Sequence, residues 1–341
     1  MKSLVTGASG FLGRAVVERL LAHGAREIRC FVRPSSDLTG LEELRWRYPQ
    51  AQVEYVAGNL TSPEDAQRAV EGVETIYHLA AGMKGLPASL FFDTVVASMH
   101  LLDAIQDRVR RVVLVSSVGV YGTSYVDTEE LIDENTQLDP HPEKRNAYFH
   151  AKIWQERLFQ EQADKGKLNL VTVRPGVLYG KGTPGVGLPS RMGLVIGNFL
   201  LMLGGKNVVP LSHVVNCAEA TVIAGLSPDA AGKSFNVVDD DLPTAKEYLR
   251  GYKKQVKRIP TVKLAYPMAM MLSQMVEKYH RRTHGQIPAV LTPYETSAMC
   301  KGHRFDNRNI KKLGWKQIVP TNEAMRETFA YLKASQNGHP S

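Results

Sequence analysis

A phenol and an ammonium stand four residues apart in Tyr148-Phe149-His150-Ala151-Lys152, a spacing that puts both on one face of a helix. A cation beside a phenol favours the phenolate. Tyr148 is therefore expected to titrate well below its free value of about 10 and to exchange protons near neutral pH. Upstream, Ser116-Ser117-Val118-Gly119-Val120-Tyr121-Gly122 follows an apolar run, so hydroxyls fall at the C-terminal end of a strand. Ser117 can there hold a reacting oxygen against Tyr148. Tyr and Lys at this spacing are common by chance, and alone they read as an exposed helix face. The start of the chain changes the balance. Leu4-Val5 runs into Gly7, Gly10 and Gly13, spaced three apart. That order suits a turn holding a dinucleotide phosphate. Gly7 permits a sharp exit from the strand, Gly10 lets the backbone approach a pyrophosphate, and Gly13 lets the next helix pack closely on a sheet. Phe11, Leu12, Ala15, Val16 and Leu20 give that helix its apolar stripe.

These groups need a scaffold, and the first half of the chain alternates strand and helix. Strands are expected at 4–5, 28–32, 53–56, 75–79 and 112–116, and helices over 11–21, 41–48, from 62 onward and over 90–107. Repeated units of this kind imply an α/β fold, a Rossmann-type doubly wound parallel sheet with ligands gathered at the C-terminal strand ends. A sixth strand is expected at 170–174, stopped by Pro175-Gly176. Beyond it, 180–193 is rich in Gly and Pro and reads as a substrate-side loop. Residues 214–226 read as a helix returning to the sheet, 234–238 as a late strand, and the remainder as mostly helical, ending over 322–333. The expected organisation is a dinucleotide-binding domain over 1–178, rejoined by 212–238, and a smaller, mostly helical substrate-binding region over 179–211 and 239–335.

At 341 residues and 43% hydrophobic content the chain can bury a large core. Its longest apolar run, 194–203, is interrupted by Gly197 and Asn198 and is too short for a membrane span. One lysine followed directly by a strand argues against a secretory signal. Cys30, Cys217 and Cys300 lie far apart without metal-ligand spacing, so they read as reduced thiols of a cytoplasmic protein with no metal site. The net charge of +8 raises nucleic acid as a partner. The basic residues are scattered, however, apart from clusters such as Lys253-Lys254 and Arg281-Arg282, and no nucleic-acid-binding motif accompanies them. A basic enzyme that holds anionic small molecules is the better reading. The Met-rich apolar segment 262–272, with Lys278 and Arg281-Arg282 behind it, reads in three ways: pocket lining, peripheral membrane contact or plain core helix.

Taken together, these motifs resemble those of the extended short-chain dehydrogenase/reductases, the superfamily of sugar-nucleotide epimerases and dehydratases, dihydroflavonol reductases and 3β-hydroxysteroid dehydrogenases. Thr6-Gly7-Ala8-Ser9-Gly10-Phe11-Leu12-Gly13 matches the cofactor motif without a gap. Residues 117–122 match the catalytic-serine strand, 148–152 the Tyr-x-x-x-Lys, His78-Leu79-Ala80-Ala81 the fourth-strand end, and 174–180 the segment near the nicotinamide. Phe305-Asp306-Asn307-Arg308 and Leu313-Gly314-Trp315 extend the likeness over nearly the whole chain. The resemblance implies an NAD(P)-dependent oxidoreductase that passes a hydride between the nicotinamide and a secondary alcohol or carbonyl of a small substrate. By the same resemblance Tyr148 is the general acid or base, Ser117 orients the oxygen, and Lys152 binds the nicotinamide ribose and lowers the pKa of Tyr148. Cofactor contacts are implied at Gly7, Ser9, Gly10, Phe11, Leu12, Arg33, Asn59, Leu60, Leu79, Ala80, Ala81, Tyr148, Lys152, Pro175 and Val177. With Ser117, Tyr148 and Lys152 all present, a non-catalytic cofactor sensor is disfavoured.

Some positions depart from the family pattern. Asn59 replaces an Asp but can still accept a hydrogen bond through its amide oxygen, and Thr94 replaces an Asn in the helix after the fourth strand. The second strand ends without a carboxylate. Arg33 with Ser35 and Ser36 looks like a corner for the 2′-phosphate of NADP, while Glu27 should point away and Asp37 lies on the next loop. NADP(H) is favoured and NAD(H) stays open. Pro175-Gly176 and Asn146-Ala147 stand where sugar-nucleotide members carry Phe-Asn and Ser-Pro. Both differences favour the hydroxysteroid dehydrogenase and dihydroflavonol reductase branch and an apolar substrate; the alternative is a sugar-nucleotide epimerase or dehydratase with tightly bound NAD. The family also implies a homodimer through the helix over 90–107 and the helix bearing Tyr148, using Phe91, Val95, Leu102, Ile105, Phe149, Ile153 and Leu158.

Overall fold

The computed structural model describes all residues except 128, 129, 186, 198, 204, 284–290 and 338–341, and the side chains at 190, 299 and 337. Seven strands form one parallel sheet: β1 (Lys2–Thr6), β2 (Glu27–Val32), β3 (Gln52–Ala57), β4 (Thr75–His78), β5 (Arg111–Val115), β6 (Leu170–Pro175) and β7 (Ser234–Val237). Their spatial order is β3-β2-β1-β4-β5-β6-β7. The order reverses between β1 and β4, and the crevice at that reversal is where such sheets bind ligands. Central strands buried on both faces need continuous apolar runs, and alternate residues serve opposite layers. Leu4, Val112 and Leu114 join one core, and Val5, Val113 and Val115 the other.

Helices cover both faces. Helices α1 (Phe11–Ala22) and α2 (Thr39–Arg47) lie on one side. On the other lie α3 (Pro63–Val70), the rod α4 and α5 (Ala147–Asp164). Helix α6 (Val214–Leu226) returns to pack against α1. Rod α4 joins Pro87–Phe91, Phe92–Val96 and Ala97–Ala104, so the regular helix expected to reach residue 107 ends earlier and is interrupted by a π turn. Within that turn the Thr94 hydroxyl accepts the Gly82 N–H (2.9 Å). Most residues expected to form a dimer seam face inward. Val95 and Ile153 are buried, Leu102 and Ile105 pack on the core, and the Phe149 ring fills the space that Gly119 leaves. Phe92, Met99 and Trp154 are the large apolar side chains that stay exposed on these helices.

The chain continues through α7 (Ala245–Gln255), α8 (Tyr266–Arg282), α9 (Pro293–Cys300), α10 (Arg308–Lys312) and α11 (Thr321–Asn337). Within this mostly helical part stands a small sheet that the sequence did not announce. Gly193–Ile196 pairs antiparallel with Phe199–Leu203, which pairs parallel with Thr261–Leu264. The apolar run 194–203 is thus a hairpin turning at Gly197, whose φ of 56° suits glycine. No helix among the described residues is long and apolar enough to cross a membrane.

Gly13 sits where α1 meets the first turn. A Cβ there would lie 2.1 Å from the Gly7 carbonyl oxygen and 2.8 Å from the Ala8 Cα, both backbone atoms. Gly13→Ala should therefore destabilise the fold by about 1–3 kcal/mol through overpacking. Chemical denaturation measures this, and an unchanged midpoint would disprove the tight fit.

Candidate active site

The glycine turn is built by the ends of β1 and β4 together. Gly7 has φ 68°, and a Cβ on it would come 3.2 Å from the Ala80 nitrogen, so both backbone conformation and space call for glycine. The Thr6 hydroxyl accepts the N–H groups of Leu79 and Ala80 (3.2 Å each) and stitches the two strand ends together. Gly10 is the N-cap of α1 and offers no side-chain cap, which leaves the first N–H groups of the helix for an anion. This cradle fits a dinucleotide pyrophosphate. Ser9, Leu79, Ala80 and Ala81 are partly open around it, whereas Leu12 and Leu60 are buried and Phe11 is partly buried. Pro175 ends β6, and the Val177 N–H is held by the Pro210 carbonyl (2.6 Å).

The corner beyond β2 is also assembled. Ser9 Oγ donates to Ser36 Oγ (3.0 Å), and the Ser36 N–H donates to the Arg33 carbonyl (2.9 Å). Arg33 is exposed, and its guanidinium pairs with Asp93 (3.1 Å) on the π turn of α4. Glu27 is exposed at the far end of β2, as expected. Asn59 is less available than the sequence suggests, because its amide oxygen already accepts the Thr61 N–H (3.2 Å). The carboxylate at this corner comes from Asp65, which accepts the Asn59 N–H (2.8 Å).

Ser117 follows β5, and its Oγ accepts the Gly119 N–H (3.1 Å). Tyr148 lies in the first turn of α5, whose N-cap Asn146 accepts the Phe149 N–H (3.1 Å). Among the described residues neither Ser117 nor Lys152 hydrogen-bonds the Tyr148 hydroxyl. The expected depression of the Tyr148 pKa is therefore not found: burial pushes the phenol up to about 12, with no cation to offset it. The reason is where Lys152 points. Its ammonium is buried and donates to the Val115 carbonyl (2.7 Å) and to Gln155 Oε1, one turn along. Burial pulls Lys152 down to about 7, partly opposed by the nearby Glu156.

Gln155 opens a network that motif reading missed. With its oxygen facing the ammonium, its amide nitrogen donates to His78 Nε2 (3.1 Å) and to Ser98 Oγ (2.8 Å). Ser98 in turn donates to the Thr94 carbonyl (2.5 Å). An accepting Nε2 leaves the His78 proton on Nδ1, which faces Thr6 Oγ1 (2.8 Å). Burial, with the Lys152 charge adding to it, lowers His78 to about 3, so the ring is neutral at physiological pH. Lys152 is thereby linked to the end of β1 through side chains alone. The available signal was polar residues on core-facing positions: Gln155 shares a helix face with Lys152 and Phe159. A second buried group fixes α5 to β6. Arg174 pairs with Glu156 and donates to the Tyr121 hydroxyl (2.7 Å), which donates to Asn236 (2.7 Å) on β7.

The model of the NAD dependent epimerase/dehydratase family matches residues 3–237. The chain belongs to that family. Among relatives of this epimerase/dehydratase family member, a 2-alkyl-3-oxoalkanoate reductase of Shewanella oneidensis is 26% identical over 97% of this chain and 86% of its own length. A decarboxylating sterol-4-alpha-carboxylate 3-dehydrogenase of Mus musculus is 26% identical over 96% of this chain and 90% of its own. In fold, the chain is similar to a UDP-glucose-4-epimerase of Stenotrophomonas maltophila crystallised with NAD (TM-score 0.72, 19% identity, 99% of each chain). The expected class, an NAD(P)-dependent oxidoreductase working on hydroxyl and oxo groups, agrees with the names of the sequence relatives; the epimerase likeness concerns the fold.

Gln155 should tune the ammonium it holds. Gln155→Leu removes an acceptor and lowers the Lys152 pKa further, so the limb of the pH–kcat/KM profile that depends on the ammonium should move to lower pH. Gln155→Glu sets a carboxylate against it and should move that limb up. Shifts of the same sign in both variants would disconnect Gln155 from Lys152.

Proposed function

We propose that the protein is an NAD(P)-dependent dehydrogenase or reductase of small, apolar hydroxy or oxo substrates, with Tyr148 as general acid and base. The reading rests on one arrangement: an uncapped α1 N-terminus beside strand ends whose neighbours are Ser117, Tyr148 and Lys152. The bound nicotinamide supplies the hydride chemistry. A neutral Tyr148 phenol is the form that donates a proton to the oxygen of a carbonyl being reduced, and Ser117 holds that oxygen in place. With the cofactor bound, Lys152 would be the residue that holds the nicotinamide ribose, and a cation near the phenol would offset the burial that raises Tyr148.

NADP(H) is the proposed cofactor, with NAD(H) as the alternative. Arg33, Ser9 and Ser36 form the corner for the 2′-phosphate, which replaces Asp93 as the guanidinium's anionic partner. The names of both sequence relatives put the reacting carbon next to a carbon that bears a carboxylate. We carry that class to this chain on the strength of Arg191. Its guanidinium lies over the Phe305 ring (5.3 Å) without an ion pair among the described residues. Residues 179–211 and 239–335 are proposed to shape the substrate side. A homodimer is proposed through the exposed Phe92, Met99 and Trp154, and a reducing cytoplasmic setting suits three free thiols.

Purified protein with NADPH should consume cofactor when given 3-oxo acids with apolar tails. Tyr148→Phe should slow that turnover by about a hundred- to ten-thousand-fold while cofactor still binds. Conversion of sugar nucleotides with no net cofactor consumption would replace this reading with the epimerase one. Arg33→Ala should weaken NADP(H) binding on the order of ten- to a hundredfold and NAD(H) binding far less. Equal losses, measured by fluorescence titration, would remove Arg33 as the discriminator.

A further inference from the structure

Helix α8 is built inside out. In an ordinary surface helix the apolar stripe faces the core and polar residues face water. Here Ala269 and Ser273 are the buried positions, while Met268, Met271, Met275 and Tyr279 are 55%, 59%, 62% and 57% exposed. With Leu272 they recur at intervals of three and four, so they form one continuous stripe. On the small sheet Val262, Ile196 and Phe199 are also exposed, on the face that packs on α8 through Leu194, Leu203 and Leu264. Isolated exposed apolar residues need no explanation, but a contiguous patch of this size does.

Charge identifies what covers it. Residues 246–282 carry ten Lys and Arg against only Glu247 and Glu277. That excess equals the net charge of the whole chain, +8, so the rest of the molecule is balanced. Of the ten, only Arg281 forms an ion pair among the described residues, with Glu277 (3.0 Å). Lys278 and Arg282 stand at the end of the helix where the apolar stripe finishes, and Lys257-Arg258 lead straight into the strand Thr261–Leu264. Apolar side chains bordered by unpaired cations suit an interface that is hydrocarbon in its depth and anionic at its rim.

We propose that α8 and the adjoining sheet edge seat the protein on an anionic lipid bilayer, with α8 lying in the plane of the headgroups. Met side chains adapt readily to a fluid, irregular surface. The seat also lies close to the chemistry. Helix α8 packs on α9, and Glu295 of α9 accepts both the Asn146 N–H (2.7 Å) and the Arg145 Nε–H (3.2 Å), just ahead of Tyr148. The proposal does not depend on which substrate the enzyme turns over.

Co-sedimentation of the full chain with vesicles tests it. Phosphatidylcholine vesicles containing phosphatidylserine should bind the protein at least tenfold better than phosphatidylcholine alone, and added salt should reverse the binding. Reversing Lys278, Arg281 and Arg282 to Glu should weaken binding to the anionic vesicles about a hundredfold. Met271→Glu with Met275→Glu should abolish it, with NADPH binding as the check that each variant is folded. Equal binding to both vesicle types, or binding to neither, overturns the proposal. So does a Met271→Glu, Met275→Glu variant that binds like wild type. If light scattering shows that this variant turns a dimer into a monomer while wild type ignores vesicles, the patch is instead a contact between copies.

Discussion

A single buried cation organises the centre of this protein. The Lys152 ammonium has left water, and a charge does that only when its hydrogen bonds are replaced. Val115 supplies one acceptor from the end of β5, and Gln155 supplies another from the next turn of α5. Those two partners fix how far α5 stands from the sheet and how the helix is rotated about its axis. Gln155 then has no freedom left in its amide orientation, His78 none in its tautomer, and Thr6 is held between β1 and β4. The helix bearing Tyr148 and the glycine turn after β1 are joined by one chain of buried hydrogen bonds, where each link is strong and each omission costly.

Three further buried ion pairs, in two groups, hold α5 at its middle and at its start. Glu156, Arg174, Tyr121 and Asn236 join the helix to β6, β7 and the loop after β5. Just ahead of the helix Arg145 is shared by Asp139 (3.0 Å) and Glu295 (3.2 Å), and Glu295 also holds the backbone of Asn146. Ion pairs this deep add little net stability, because desolvation offsets the attraction. Their effect is geometric. They place the start of α5, and with it Tyr148, relative to both the sheet and α9.

Much of this was legible in the sequence. The seven-strand sheet follows from apolar runs that only a doubly buried strand tolerates, and α6 falls where its pattern begins and ends. The glycine turn, Ser117, Tyr148 and Lys152 were visible because each needs a particular residue type at a particular spacing. What spacing could not give is orientation. Lys152 was expected to face Tyr148, yet its nearest strong acceptors lie deeper, and the phenol is left to the desolvation around it. Val95 and Ile153 were counted toward a partner surface because two apolar faces of a helix look alike until packing chooses one. The hairpin at 193–203 was hidden by its length, since a short apolar run has no distinctive period.

The π turn in α4 carries a consequence for how this protein can change. It holds neighbouring residues to opposite tasks: Asp93 reaches outward to Arg33, and Thr94 reaches inward to Gly82. A π turn holds one residue more than an α turn, so a single-codon deletion there would restore an ordinary helix with Ser98 still close to His78, and its effect would fall on the contacts of Asp93 and Thr94 themselves. Loss of one amino acid at the π turn would thus be felt at Arg33 and Gly82, whereas substitutions at the outward-facing Phe92 would not. What the π turn tolerates should follow the identities of Asp93 and Thr94 more strictly than the residue count.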